Sequence, residues 1–392
     1  MSNTIIYCDY AATTPLDKRV LDVMMPYLTD VFYNASSTHA PGMEAQRAVM
    51  QARAEIARHI GARLQEIVFT SGATEAINLA ILGMARRSDG TRTTIVTVAS
   101  EHAAVLDACA HCEQLGMNVI RLGVESDGRL NPETLAAVVN DKTLLVCVMA
   151  VNNETGVVQD LKPLADIAHS VGAYFMTDAT QAYGKMPLNV DDACIDLMTF
   201  SAHKIYGPKG TGVLFMRTRK EQTCALQPLQ FGGGQERGIR SGTLNVPGII
   251  GLAEAGRIAL DELQAESLRV YALRKRFEEA VAELEGVIIN GATAQRNYAT
   301  SNVTFEGCDA DLMLMNLPHV ACSKGSACSS AKPKPSHVLT AMGRTSDQAA
   351  CSLRFSFGRF TTQEEIERLI AELSEAHEKT LHGVEGRLVH RT

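Results

Sequence analysis

Four short segments place reactive side chains directly after predicted strands. A turn of small residues, Thr70–Glu75, feeds a predicted helix, and His102, Asp178 and Lys204 each follow or end an apolar run. In open α/β sheets, ligands bind in the crevice at the carboxyl ends of the strands. We therefore expect these four segments to face one site.

Each segment suits a different task. A turn at a helix N-terminus presents free backbone N–H groups to a phosphate. A histidine can stack on a flat ligand or move a proton, and a carboxylate can hold a cationic ring nitrogen through a charge-assisted hydrogen bond. A desolvated lysine can form a Schiff base; Lys209 is a rival to Lys204, but its Gly-rich surroundings are typical of a solvated turn.

Taken singly, each segment also has a plainer interpretation as a helix cap, a packed side chain or an ordinary βα turn. Taken together, a phosphate turn, a stacking histidine, a carboxylate and a Schiff-base lysine are the parts that pyridoxal phosphate requires. The combination therefore predicts a pocket for that cofactor.

Composition narrows the class of protein. The chain has 392 residues, which predicts two or three domains. Its 37 Lys and Arg against 44 Asp and Glu give a net charge of −7, without the basic excess of a dedicated nucleic-acid binder. Apolar runs are too short to span a bilayer, and the N-terminus does not resemble a secretory signal. We expect a cytoplasmic protein with mostly reduced cysteines and no membrane partner.

Apolar runs alternate with helical patterns over the first two thirds of the chain. This alternation predicts an α/β fold, with a mostly parallel seven-stranded sheet and helices on both faces. The predicted strands are Ile67–Thr70, Thr94–Ala99, Asn118–Leu122, Leu144–Ala150, Ala173–Thr177, Leu197–Phe200 and Val213–Met216, and the predicted helices are Thr74–Ala85, Ala103–Leu115, Pro132–Val139 and Leu161–Ser170.

After about Pro247 the regular alternation of predicted strands and helices ends, which predicts a smaller α+β domain. Ile249–Leu284 reads as long helical material that bridges the two parts. A closing helix, Gln363–His377, has apolar positions at 3–4 spacing, and the polar segment after His377 is expected to fray. Short strands are predicted between them at Val287–Asn290, Asn302–Phe305, Val320–Ser323 and Leu353–Ser356.

The motifs, in their order along the chain, resemble those of the cysteine desulfurases, which are fold-type I, class V pyridoxal-phosphate enzymes. The most specific are Ser201-Ala202-His203-Lys204 and Gly325-Ser326-Ala327-Cys328. The resemblance extends from about Tyr7 to Thr362. The loop around Cys328 resembles that of the long-loop desulfurases, which serve nitrogenase and general iron–sulfur assembly. The resemblance implies a large cofactor-binding domain over 15–258, and a small domain of 1–14 with 259–392 that carries a catalytic cysteine loop at about 322–337.

The resemblance implies roles for individual residues. Lys204 would hold the cofactor as a Schiff base, and His102 would stack on its ring and assist proton transfer. Asp178 would pair with the pyridine nitrogen and Gln181 with the phenolic oxygen. The implied phosphate-binding residues are Thr74, Ser201 and His203, and Ala73 is a further implied cofactor-binding residue. The implied substrate-binding residues are Asn153, Arg354 and Asn34.

The resemblance also implies that L-cysteine becomes L-alanine while Cys328, the nucleophile, keeps a persulfide for a protein acceptor or scaffold. Thr243 would reach the phosphate of the partner subunit's cofactor, which implies a homodimer. The acceptor stays open among iron–sulfur assembly, tRNA thiolation and sulfur modification of DNA. Alternatives are a selenocysteine lyase, a class V aminotransferase, or a non-catalytic partner in sulfur transfer.

Three local features complete the sequence-based interpretation. Cys109-Ala110-His111-Cys112 is a lone C-x-x-C without a second ligand pair, so no metal site is expected. Cys322 is expected to be a packed thiol rather than a relay for Cys328. The segment Tyr33–His39 lacks the proline that the family often has there, which leaves the geometry of substrate entry open.

We predict that the pKa of the Cys328 thiol lies below its reference of about 8.5. Lys324, Lys332 and Lys334 surround it in the sequence, and nearby cations favour the thiolate. The rate of alkylation by iodoacetamide, measured against pH, should have a midpoint below that reference. A midpoint above it would reject the prediction.

Overall fold

The computed structural model describes residues 5–218, 225–324 and 335–389, with side chains as far as residue 381. The predicted nucleophile Cys328 lies outside the described residues, as do Lys332 and Lys334 of the same loop.

The helices and strands alternate along most of the chain. The strands are β1 (Ile6–Tyr7), β2 (Ile67–Thr70), β3 (Thr94–Val98), β4 (Asn118–Leu122), β5 (Thr143–Cys147), β6 (Tyr174–Asp178), β7 (Leu197–Ser201), β8 (Gly212–Met216), β9 (Val287–Ile289), β10 (Thr300–Phe305), β11 (Val320–Ala321) and β12 (Ser352–Ser356). The α-helices are α1 (Lys18–Thr29), α2 (Ala40–His59), α3 (Ala73–Arg87), α4 (Ala103–Gln114), α5 (Pro132–Ala136), α6 (Leu161–Ser170), α7 (Val246–Asp261), α8 (Leu263–Val281), α9 (Ala310–Met315), α10 (His337–Ala341), α11 (Ser346–Ala350) and α12 (Gln363–Val389).

The large sheet has seven strands in the order β2-β8-β7-β6-β5-β3-β4. Strands β3 to β7 pair in parallel, whereas β8 runs antiparallel to both β7 and β2. Strands β2, β3 and β5 to β8 are buried along their whole length or nearly so, as expected of continuous apolar runs covered on both faces. The predicted mostly parallel seven-stranded sheet is confirmed.

Helices cover both faces of this sheet. Ile56 of α2, Leu164 of α6 and Leu252 of α7 pack in one buried cluster, and Ile81 of α3 and Val105 of α4 pack in another. Hydrophobic layers therefore cover both faces of the sheet. They hold in place the edge at which the carboxyl ends of its parallel strands lie.

The C-terminal part has its own small core. Strands β12, β10 and β9 form an antiparallel sheet, and β1 pairs in parallel with β11. Phe277 of α8, Phe355 of β12 and Leu369 of α12 are fully buried there. This arrangement is the predicted smaller α+β part, although the exact domain boundaries stay a prediction.

Two predicted elements differ from the structure. The helical material at 249–284 is broken at Glu262, which ends α7 and begins α8; this residue pairs with Arg19 of α1. The closing helix does not fray after His377 but continues to Val389. Ion pairs at i,i+4 spacing, such as Glu375–Lys379, favour that continuation.

No described helix is long and apolar enough to cross a membrane.

A buried ion pair ties β2 to the glycine-rich segment 232–243. Arg53 of α2 donates to both carboxylate oxygens of Glu236, at 2.8 and 2.5 Å, and to the carbonyl oxygen of Ile67. The same carboxylate accepts from the backbone N–H of Phe69 at 2.8 Å. Glu236 has a positive φ of 48°, a conformation that L-residues rarely adopt, so these bonds hold a strained turn in place.

We predict that Glu236→Gln lowers the free energy of unfolding by about 3–5 kcal/mol, because it leaves a buried guanidinium without its counter-charge. Urea unfolding followed by circular dichroism measures the change. The matched control is Glu367→Gln, whose partner Arg276 is half exposed; it should change stability by less than about 1 kcal/mol. Equal effects of the two variants would contradict the prediction.

Candidate functional site

A cavity of about 590 Å³ opens at the carboxyl ends of the large-sheet strands. That volume lies in the range of pockets for cofactors and small molecules. It brings together most of the predicted site residues, which are Ala73, Thr74, His102, Asn153, Asp178, Gln181, Ser201, His203, Lys204 and Arg354.

Lys204 reaches this cavity from a short 3₁₀ turn, Ala202–Lys204, that follows β7 directly. Its Nζ donates to the carbonyl oxygens of Ala11 and Ala12, at 2.8 and 2.6 Å. The amine is therefore half-buried and oriented by backbone acceptors. Lys209, the rival lysine, is exposed at the cavity rim.

Sequence reasoning missed the N-terminal contribution to the cavity. Ala11, Ala12 and Thr13 line it through backbone and small side chains. The segment is held by a hydrogen bond from the Ala11 N–H to Ser356 Oγ, at 2.8 Å. The only signal was a run of small residues after Tyr10, which by itself predicts no more than a loop.

The turn before α3 lies close against β8. A methyl group on Gly212 would lie 2.6 Å from the backbone of Gly72, so only glycine permits this approach. The turn thus places Ala73 and Thr74 at the positive end of a 15-residue helix that faces the cavity. Backbone N–H groups at such an end bind anions.

Two side chains from the end of β7 face the same helix end. Ser201 is buried, and its Oγ lies 3.4 Å from the carbonyl oxygen of Thr211. His203 lies 3.1 Å from Thr13 Oγ1 through Nδ1. Burial, with the charges of Lys204 and Lys209, lowers the pKa of His203 to about 4, so its ring is neutral and can serve a phosphate as an N–H donor at neutral pH.

His102 is the N-cap of α4. Its Nδ1 accepts a hydrogen bond from the backbone N–H of Ala104 at 3.1 Å. Burial lowers the pKa of His102, and the nearby Asp178 only partly opposes this. The ring is therefore neutral at physiological pH, with its other nitrogen, Nε2, carrying the proton.

Asp178 and Gln181 follow one another around the end of β6. The Asp178 carboxylate is buried and accepts from the N–H of Thr180 at 2.9 Å. Gln181 Nε2 donates to the Ala11 carbonyl oxygen at 2.8 Å, and its Oε1 accepts from Lys185 Nζ at 2.9 Å. Both side chains are thus held in one orientation at the cavity wall.

Arg354, on β12, also lines the cavity. Its guanidinium donates to Asp9 Oδ1 and to the carbonyl oxygen of Asn153, both at 2.8 Å. Arg354 Nε and Asn153 Oδ1 are buried without a hydrogen-bond partner. Buried polar groups are normally paired, so this corner of the cavity has unused capacity to bind a polar ligand such as a carboxylate.

The predicted substrate residue Asn34 and the predicted partner-facing residue Thr243 do not line this cavity. Both are exposed, and Asn34 Oδ1 accepts from the N–H of Ser36 in its own turn. Their predicted roles remain predictions.

Five of the eight described cysteines are buried. Cys109 and Cys112 are buried on α4, and the described residues contain no cluster that could hold a metal ion. Burial raises the pKa of Cys322 to about 12, which keeps that thiol protonated. That Cys322 packs rather than relays for Cys328 stays a prediction.

The comparisons with known proteins agree with this geometry. The model of the aminotransferase class-V family matches residues 6–369. Cysteine desulfurase IscS of Anaeromyxobacter is 47% identical over 367 residues, 93% of this chain and 90% of the relative. A solved NifS-like protein superposes with a TM-score of 0.88 at 33% identity, over 95% of this chain and 99% of that one.

A further solved structure, SspA in complex with cysteine, has a TM-score of 0.81 and 36% identity, over 91% of this chain and 99% of that one. Matches of this identity and coverage extend over both the large sheet and the C-terminal part. The chain therefore belongs to the aminotransferase class-V family, and within it to the cysteine desulfurases.

Proposed function

We propose that this chain uses pyridoxal phosphate to convert L-cysteine to L-alanine and retains the sulfur as a persulfide on Cys328. The observation that carries the proposal is the convergence of a lysine amine, an anion-binding turn and a buried arginine in one cavity.

The residues present fit the cofactor. Thr74, Ser201 and His203 offer donors for its phosphate beside the α3 N-terminus. Asp178 offers a carboxylate to a protonated ring nitrogen, and His102 a flat neutral ring to stack upon it. The unpaired Asn153 and Arg354 atoms leave polar capacity for a substrate in the same cavity.

When bound, pyridoxal phosphate supplies an electron sink for charge that develops at the substrate Cα. Lys204 is the residue that would hold it and then, once freed by substrate, move the proton at Cα. His102 is neutral and assists that proton movement through Nε2. The Ala11 and Ala12 carbonyls keep the lysine amine within the cavity between these tasks.

Arg354 would bind the substrate carboxylate, because a planar guanidinium matches it through two parallel hydrogen bonds. Asp9 already accepts one N–H of this guanidinium and so sets its plane. Asn153 Oδ1 can accept an N–H from the same substrate. Arg354 and Asn153 would therefore determine the specificity for an α-amino acid.

Sulfur transfer would use Cys328. Its thiolate attacks the substrate Sγ; the S–S bond forms, the Cβ–Sγ bond breaks, and the bonding electrons stay with carbon, where protonation gives alanine. Residues on both sides of segment 325–334 contact the site. Ser323 exchanges backbone hydrogen bonds with Arg354, and His337 Nε2 lies 2.8 Å from the carbonyl oxygen of Glu101, next to His102.

A homodimer is part of the proposal. Half of the large exposed hydrophobic side chains among the described residues fall between positions 16 and 50, and Asn34 lies within the same stretch. They are Leu16, Leu21, Met25, Leu28, Phe32, Met43 and Met50. Exposed hydrophobic side chains concentrated on one stretch of a chain are typical of a surface that another protein covers, and we infer a second copy of this chain there.

The remaining partner would be a protein sulfur acceptor or scaffold, in the cytoplasm, where thiols stay reduced. The eight described cysteines are all free thiols, as such an environment requires.

We predict that Cys328→Ala abolishes production of alanine and persulfide from L-cysteine while the purified protein keeps its cofactor absorbance. The thiol is needed to accept sulfur but not to bind the cofactor. Alanine release and protein-bound sulfur are the measurements, with Cys351→Ala as the matched control. Alanine formation at the wild-type rate in Cys328→Ala would favour a selenocysteine lyase or an aminotransferase, and absence of turnover in the wild type would favour a non-catalytic partner.

We predict that Gly212→Ala weakens binding of pyridoxal phosphate by at least about tenfold, since the added methyl group must displace the anion-binding turn. Titration of the cofactor-free protein, followed by absorbance, measures the change. Gly123→Ala is the control, because a methyl group there meets no atom within 4 Å. Equal affinity of the two variants would contradict this account of the turn.

A further inference from the structure

A carboxylate lies at the turn to which the cofactor phosphate is assigned. Glu75, in the first turn of α3, lines the cavity together with residues 71–74. Its Oε2 accepts a hydrogen bond from the backbone N–H of Ser71 at 2.7 Å. A carboxylate in this position is attracted to the same positive helix end that a phosphate would use, and the two anions repel each other. Phosphate binding at this turn is therefore favoured only if the charge of Glu75 is compensated.

Arg240, in the glycine-rich segment 232–243, binds both oxygens of this carboxylate. Its Nε donates to Glu75 Oε1 at 2.7 Å, and its Nη2 donates to Glu75 Oε2 at 3.2 Å. The side chains of Arg240 and Glu75 are 18% and 24% exposed, so salt and water screen the pair only in part. Burial by itself would raise the pKa of Glu75, but the hydrogen bonds from Arg240 and Ser71 outweigh it and lower that pKa. Glu75 is therefore ionised at neutral pH, with Arg240 as its counter-charge.

The backbone that carries Arg240 has partners of its own. The Ser241 N–H donates to the carbonyl oxygen of Gln230 at 3.4 Å, and Gln230 Nε2 donates to the carbonyl oxygen of Ser241 at 2.7 Å. The Gly242 N–H donates to Gln235 Oε1 at 2.8 Å. A stretch of chain that is fixed by these bonds therefore presents the guanidinium to Glu75.

We propose that Arg240 is a positioning residue for the cofactor phosphate. By binding both oxygens of Glu75, it neutralises the charge at the turn and leaves the first N–H groups of α3, which have no acceptor inside the helix, to the phosphate. It acts through Glu75, because Glu75 belongs to the described residues that line the cavity and Arg240 does not. This inference deepens the proposed function and rests on it, since it takes the phosphate to be that of pyridoxal phosphate.

The test compares ligands with and without a phosphate on the full-length, cofactor-free protein. Pyridoxal phosphate and pyridoxal are titrated by absorbance, and inorganic phosphate by calorimetry. In Arg240→Gln the affinity for pyridoxal phosphate and for inorganic phosphate should fall by about tenfold, because the charge of Glu75 then faces the phosphate. The affinity for pyridoxal, which has no phosphate, should stay as in the wild type.

Glu75→Gln should have an effect of the opposite sign. It removes the negative charge and keeps an oxygen for the Ser71 N–H, so the affinity for pyridoxal phosphate should rise by about threefold. The double variant, Glu75→Gln with Arg240→Gln, should bind pyridoxal phosphate more tightly than Arg240→Gln alone. A contact that only supports the fold would instead weaken binding in all three variants.

Arg121→Gln is the matched control. Arg121 donates to both carboxylate oxygens of Glu113, at 2.7 and 2.9 Å, and neither residue is among the described residues that line the cavity. This variant should bind all three ligands as the wild type does.

Unchanged affinity for pyridoxal phosphate in folded Arg240→Gln, or an equal loss for pyridoxal phosphate and pyridoxal, overturns the proposal. Weaker binding of pyridoxal phosphate by Glu75→Gln also overturns it, and this variant decides the matter if Arg240→Gln does not fold. A wild-type protein that does not bind pyridoxal phosphate would overturn the proposed function, while the titrations with inorganic phosphate would still judge Arg240 by the same signs.

Discussion

The site depends on one contact, the pair of hydrogen bonds from the Lys204 amine to the carbonyl oxygens of Ala11 and Ala12. A lysine at the end of a buried strand is costly unless its charge is met by acceptors. Here the carbonyl oxygens of Ala11 and Ala12 accept hydrogen bonds from the amine. The N-terminal segment is consequently a structural part of the cavity, and its position matters as much as that of the sheet.

Other polar groups of the site are likewise oriented at least in part by backbone atoms. His102 is held by an N–H of α4, Asp178 by the N–H of Thr180, and Arg354 by a carbonyl oxygen. Such partners cannot rotate away, and they keep the reactive atoms in place without a bound ligand. Desolvation then sets the charge states, with both site histidines neutral.

The positions of most site residues in the fold could be predicted from the sequence. His102, Asp178 and Lys204 each follow a run of buried apolar residues, so the sheet topology alone brings them to one edge. The backbone acceptors Ala11 and Ala12 could not be predicted, since their side chains carry no signal. Glu262, at the break, pairs with Arg19, 243 positions away, and the pair of Arg53 with Glu236 spans 183 positions. Contacts at such separations leave no local pattern.

The N-terminal strand has a consequence for how the molecule is made. Strand β1 pairs with β11 at Val320–Ala321, and the Ala11 N–H donates to Ser356, so part of the support for the segment that lines the cavity comes from residues far along the chain. During synthesis the large sheet can form while Ala11 and Ala12 still lack their final support. The N-terminal wall of the cavity therefore gains its full support only after strand β12 has been synthesised.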